Sequence, residues 1–423
     1  MKKKRLRTEI VIVGSGAGGA TLAKELSERG REVIVVEKGG ESGSRTRFSD
    51  KSELCVKSNE GLGIFRAFGI GGTTAVSCGN AVRSLEKELG ILGINLSSEF
   101  RDAEKDLGVR PVPAGLLGNG TRKIMEAARK SGVIMERMPK AIDWKECRRC
   151  GKCLLGCCYG AKWTAGKYLR QAESSGVKVL KRVEICEVLT SGGNAVGVRG
   201  RDGRGDIFIS AEKVILAAGG LVTPAILQRS GVSAAGGNLF VDLQQTIYGV
   251  VKDGFFKKEI YMSAVSYDFL ERQGFILSPF VDVASDFFST TLSARRIPGV
   301  LSRKSIFGII AKIKDENTGK ISRAGEVSKE VSSKDRDKLR KAAAISGEIL
   351  IRAGVIPASL VVSPPEGAHP GGGAAIGRVV DKNQETGIKG LFVSDASVLP
   401  FSSGLPPILT VVALSKRLAS RQF

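Results

Sequence analysis

Gly14-Ser15-Gly16-Ala17-Gly18-Gly19 follows the apolar run Glu9-Ile10-Val11-Ile12-Val13, and a second run, Val33-Ile34-Val35-Val36, closes on Glu37. This order of segments leaves little choice of architecture. A strand, a glycine turn, a helix and a parallel strand ending in an acid make up the unit that binds a dinucleotide. Gly14 permits the tight turn, Gly16 lets the backbone approach a pyrophosphate, and Gly19 lets the helix pack close to the strand. The helix N-terminus offers free N–H groups and its positive dipole end to the phosphates. Glu37 stands where a carboxylate accepts hydrogen bonds from ribose hydroxyls.

The 423 residues suffice for two domains. The expected class is α/β, a Rossmann-type domain plus a smaller α+β substrate domain with an antiparallel sheet. The dinucleotide domain is expected in three parts, 1–85, 160–236 and 366–423, with a helical segment at 86–159 and the substrate domain at 237–365. A composition shift marks that last segment, where Tyr248, Phe255, Phe256, Tyr261, Tyr267, Phe269, Phe275, Phe280, Phe287 and Phe288 gather. Such aromatics pack a sheet or line an apolar pocket. A helix is predicted over 121–130, another over 161–175, and an amphipathic one over 332–353 with Ser333 as its cap.

Lys and Arg number 65 against 43 Asp and Glu, a net charge of +22. The excess favours anionic partners, an acidic electron-transfer protein or an anionic membrane surface. The basic residues are spread along the chain without a nucleic-acid module, so no nucleic-acid partner is expected. A basic amphipathic segment at 295–314 is the candidate for membrane contact. No stretch approaches the ~20 apolar residues of a membrane-spanning helix. The run after Met1-Lys2-Lys3-Lys4-Arg5 is the first strand and not a secretory signal, so a cytoplasmic protein is expected, with peripheral attachment to the inner membrane face as its extension.

Five of the eight cysteines lie between Cys147 and Cys158. Cys147-x2-Cys150-x2-Cys153-x3-Cys157 has the spacing by which ferredoxin-type segments hold iron–sulfur clusters. A [4Fe–4S] cluster, a structural zinc and a metal-free loop are the three readings of it. Cys158 stands where the ferredoxin pattern has proline.

Four separated segments resemble the glucose–methanol–choline (GMC) family of flavin oxidoreductases. They are the N-terminal turn with Glu37, Gly71-Gly72-Thr73-Thr74-Ala75, residues 214–220 running into Thr223-Pro224-Ala225-Ile226-Leu227, and the C-terminal stretch. That stretch reads His369-Pro370-Gly371-Gly372-Gly373, then Gly377, then Gly390 through Ser394-Asp395-Ala396-Ser397 to Pro400. The resemblance implies FAD. It places Gly14, Gly16 and Gly19 at the pyrophosphate, Glu37 at the adenosine ribose, and Gly72, Thr73 and Thr74 along the flavin. Val183 would present its backbone to adenine, and Asp395 with Ala396 would meet the ribityl–phosphate region. Asp395 also reads as a plain cap of the turn it precedes.

His369 is the only histidine. Imidazole can take a proton and return it near neutrality, and the resemblance implies that His369 is the base for a CH–OH donor whose hydride goes to flavin N5. Family members carry a second His or Asn shortly after the Asp-Ala-Ser segment, where this chain has Gly404-Leu405-Pro406-Pro407. The expected function is oxidation of an alcohol or lipid-like substrate, with electrons leaving through the cluster to a protein or quinone. Two alternatives accompany it: a ferredoxin-fed flavin reductase of an unsaturated or carbonyl substrate, and a non-catalytic membrane-surface or partner-binding flavoprotein.

Overall fold

The computed structural model of the chain describes residues 4–41, 54–251, 258–281 and 306–423. Its two large sheets are built, in chain order, from β1 (Lys4–Val13), β2 (Val33–Glu37), β3 (Cys55–Lys57), β4 (Gly63–Phe65), β5 (Lys178–Lys181), β6 (Glu184–Ser191), β7 (Asn194–Asp202), β8 (Gly205–Leu216), β9 (Leu243–Val250), β10 (Phe275–Pro279), β11 (Ile306–Ile313), β12 (Val361–Val362), β13 (Glu366–Gly367) and β14 (Leu391–Val393). The helices that matter to the site are α1 (Ala17–Ser27), α2 (Asn119–Lys130), α3 (Ala165–Ser174), α4 (Thr223–Arg229), α5 (Ser333–Arg352) and α6 (Ile408–Gln422).

The first sheet runs β5-β2-β1-β8-β7-β6, with β14 also paired to β8. Its centre is parallel: β1 pairs β2 and β8, β2 pairs β5, and β8 pairs β14. Runs such as Val33–Glu37 are buried at every position, as a parallel strand covered on both faces requires. α1 packs against α3 and α6 over this sheet, with Leu22, Leu26, Leu169 and Leu414 in one core. The expected Rossmann-type domain is therefore present. β6, β7 and β8 form an antiparallel meander at its edge.

The second sheet runs β10-β11-β9-β13-β4-β3, with β12 also on β9. It is antiparallel except where β13 meets β4. The two-residue period of a strand sorts its faces. Ile247, Ile309 and Ala311 pack with Leu350 of α5, and Gln245 Nε2 donates to Leu339 O at 2.6 Å. Gln244, Thr246, Tyr248, Ile310 and Lys312 face the opposite way, into a cavity.

Two expectations change. Ser332, not Ser333, caps α5: it is still extended and accepts from the Asp335 N–H, whereas Ser333 is already helical. The basic segment 295–314 is no surface helix where it is described, because Ile306–Ile313 is β11, buried at every residue. Positions 295–305, and Phe255, Phe256, Phe287 and Phe288, lie outside the described residues. Among the described residues no helix is long and apolar enough to cross a membrane.

Candidate active site

A cavity of about 590 Å³ lies between the two sheets, and its lining contains every residue the sequence assigns to cofactor or catalysis except Gly19. The glycine turn divides into packing and facing positions. Gly14 has φ +105°, and a Cβ there would sit 2.2 Å from Ala217 O. Gly19 could not carry one either, for it would lie 2.0 Å from Gly14 O. Gly18, which the sequence reading passed over, makes the tightest approach, 1.7 Å from Ser394 O at the end of β14. A Cβ on Gly16 would meet nothing within 4 Å, and the residue lines the cavity. It precedes α1, whose N-terminus has neither a side-chain cap nor an acid in its first turn. An open, uncompensated helix N-terminus fits the phosphates of a dinucleotide.

Glu37 is buried and already busy. Its Oε2 accepts from the Ser15 N–H at 3.0 Å and Ser15 Oγ at 2.6 Å, its Oε1 from the N–H groups of Gly39 at 2.8 Å and Gly69 at 3.2 Å. The carboxylate thus ties β2 to both glycine turns. In the second turn, Gly71 has φ +89° and opens a 3₁₀ helix, Gly72–Val76. A Cβ on Gly72 would lie 3.2 Å from Gly16 Cα, so the two turns abut. Thr74 is buried, its Oγ1 donating to Gly71 O and accepting from the Ala165 N–H, while Thr73 is exposed. The Val183 N–H donates to Glu37 O at 3.0 Å.

Asp395 does cap the 3₁₀ turn Ala396–Val398, with Oδ1 accepting from the Ser397 N–H and Oγ. Its Oδ2 reaches across to the Gly219 N–H at 2.8 Å and Thr223 Oγ1 at 2.5 Å, pinning the loop after β8 to the end of β14. Burial pushes its pKa up, against those four hydrogen bonds.

His369 follows β13, and its N–H donates to Val241 O at 2.8 Å. Its Nδ1 lies 3.1 Å from Asp242 Oδ2 and 3.0 Å from Lys312 Nζ. Asp242 is buried in the left-handed region at φ +47°, where its Oδ1 accepts from Ser402 Oγ at 2.7 Å and the Gly404 N–H at 3.1 Å. Asp315 fixes that backbone by accepting from the N–H groups of Val241 and Asp242, and its charge is met by Lys329 at 3.0 Å in a fully buried pair. Burial, aided by the Lys312 ammonium and opposed by Asp242, pushes His369 down to about 4. Burial also brings Lys312 down to about 8, against Asp242, Cys78 and Asp315. Displaced titrations of this kind make His369 and Lys312 candidates for function. The sequence reading singled out His369 and neither of the two residues that meet its Nδ1. The available signal was Lys312 itself, the single charge inside the apolar run Ile306–Ile313. Pro406 and Pro407 line the cavity where a second polar side chain was sought.

Cys147, Cys150, Cys153 and Cys157 line one small pocket beside Lys162 and Glu259. Yet among the described residues no three Cys, His, Asp or Glu side chains form a group able to hold a metal ion. Burial raises Cys147, and raises Cys153 to about 12. A [4Fe–4S] cluster or a zinc needs four convergent thiolates, and this arrangement does not fit either. Lys162 ties the loop to the segment just after the second glycine turn, its Nζ donating to Ala75 O, Ser77 O and Cys153 O at 2.6–2.9 Å.

Comparison with known proteins agrees with this geometry. The family model described as GMC oxidoreductase matches residues 8–244 with its N-terminal part and 326–415 with its C-terminal part. An uncharacterized protein of Methanocaldococcus jannaschii is 28% identical over 417 residues, covering 97% of this chain and 98% of the relative. A long-chain-alcohol oxidase of Arabidopsis thaliana is 23% identical over 99% of this chain and 67% of its own length. The crystal structure of pyridoxine 4-oxidase from Mesorbium loti superposes with a TM-score of 0.74 at 17% identity, covering 98% of this chain and 99% of that one, a likeness of fold.

Proposed function

The chain belongs to the GMC oxidoreductase family, and from that premise we propose that it oxidises the CH–OH carbon of an apolar alcohol, with His369 taking the hydroxyl proton. It is an FAD-dependent oxidoreductase. Gly14, Gly16, the α1 N-terminus and Glu37 would hold the adenine dinucleotide end, and Gly72, Thr73, Thr74, Val183, Asp395 and Ala396 the remainder. FAD, when bound, supplies the two-electron acceptor for the hydride.

One observation carries the proton role. Nδ1 of His369 is held by Asp242 and Lys312, while Nε2 has no partner among the described residues, and the ring lines the cavity. A pKa displaced well below neutrality leaves the ring neutral at physiological pH, with a lone pair on one of its two nitrogens. Tyr248, Met262, Phe280, Ile310 and Leu154 give the same cavity an apolar wall, which favours a lipid-like or aromatic alcohol. The plant relative's name as a long-chain-alcohol oxidase and the structural neighbour's as a pyridoxine oxidase point to the same donor class.

Anaerobic bleaching of the flavin by an alcohol panel tests this. A long-chain or aromatic alcohol is expected to bleach wild-type protein, and His369→Ala to slow it by about 10²–10⁴, the range of general-base catalysis. Equal rates would remove His369 from the chemistry. Electron exit through an iron–sulfur cluster has the sequence spacing of the four cysteines as its sole support, and no step is assigned to it.

A further inference from the structure

Asp242 and Lys312 ask opposite things of one nitrogen. A carboxylate only accepts hydrogen bonds and an ammonium only donates them, yet both lie within 3.1 Å of His369 Nδ1. If Nδ1 carries the ring proton it serves Asp242; if it carries a lone pair it serves Lys312. The ring nitrogens point in opposed directions, so Lys312 stands behind the imidazole from anything Nε2 touches. Its influence on a reacting oxygen passes through His369.

Lys312 is buried on the cavity face of β11, opposite Gln244 of β9 and Ile276 of β10. The charged or titratable groups facing it are His369, Asp242, Asp315 and Cys78. Asp315 is neutralised by Lys329, and Cys78 is faced in turn by Lys140 and Lys162. On the far face of the sheet, Asp335 and Lys338 of α5 hold the backbone of Glu316 and Lys314.

We propose that Lys312 is a positioning residue that sets the tautomer of His369. As an ammonium it donates to Nδ1 and obliges the ring proton onto Nε2, which then meets the cavity as a donor. Once Lys312 has released its proton to solvent, Nδ1–H turns to Asp242 and Nε2 is free to accept the substrate's hydroxyl proton. The imidazolium so formed carries that proton on Nε2, and FAD, when bound, would accept the hydride from the same CH–OH group. The proposal rests on the reading of His369 as base.

The solitary histidine makes the test direct. In tag-free holoenzyme labelled with ¹⁵N-histidine, the ring proton is expected on Nε2 below the Lys312 titration near 8 and on Nδ1 above it. Lys312→Met should show Nδ1–H at every pH where the ring is neutral. Wild-type protein protonated on Nδ1 on both sides of that titration would overturn the proposal.

The rate of anaerobic bleaching is expected to rise with pH along a limb near 8. Because the ammonium holds His369 down, its loss in Lys312→Met should move the limb to lower pH, toward the ordinary imidazole value of 6.5. Lys312→Arg, charged at all pH, should lose about 100-fold with no limb. An unmoved limb in Lys312→Met would overturn the proposal. If no alcohol bleaches wild-type protein, the functional reading fails, and the nitrogen spectrum still decides the tautomer.

Discussion

Removing the carboxylate of Asp242 leaves Ser402 Oγ and the Gly404 N–H without their acceptor, and His369 Nδ1 as well whenever it carries the ring proton. Buried orphans of this kind cost about 1–3 kcal/mol each. Asp242→Ala should therefore lower the thermal midpoint as well as the bleaching rate. Asp242→Asn keeps a carbonyl oxygen for two of those donors but loses the charge that favours Nδ1–H. It should keep most of the stability and still lose about 10²-fold in rate; equal losses in both variants would make Asp242 a purely structural group. His369 was legible in the sequence because it is the only histidine and sits in a recognisable glycine-rich context. Asp242 and Lys312 were not, since nothing local links positions 242, 312 and 369. They meet through β9–β11 pairing and the return of the chain past Val241.

At the scale of elements, the β1–α1–β2 unit was readable almost whole, because its signals are local: apolar runs, a glycine turn and an acid at fixed distances. Which glycine does what was less readable, since packing against β8 and β14 decides it. The structure predicts a split outcome. Gly16→Ala has space for its methyl group and should keep the fold while weakening flavin retention, seen as lost flavin absorbance at an unchanged melting temperature. Gly18→Ala would drive a methyl group into Ser394 O and should fail to accumulate as folded protein. Flavin content equal to wild type in Gly16→Ala would move the phosphates away from this turn. The reading of 295–314 as a basic membrane-contact segment fails over β11 for the opposite reason. Counting basic residues over 295–314 concealed an apolar run whose one lysine points inward.

Over the whole molecule, not every basic residue behind the net charge of +22 stands at the surface. Lys140, Lys162, Lys312 and Lys329 are buried, and three of them satisfy backbone carbonyls or an interior carboxylate. The cysteine spacing also promised more than the folded loop delivers. Four thiols share a pocket without converging as ligands. Anaerobically purified protein should accordingly contain flavin but no stoichiometric iron, acid-labile sulfide or zinc. One equivalent of zinc or a full complement of iron and sulfide would show that the loop rearranges around metal.

The pinning of the Gly219 loop by Asp395, and the seat of Gly18 against Ser394, also bear on biogenesis. A nascent chain still tethered to the ribosome owns the N-terminal turn long before it owns the residues that clamp it. FAD capture must then wait until translation has passed the last parallel strand, and until that moment the exposed edge of β8 is open to chaperones.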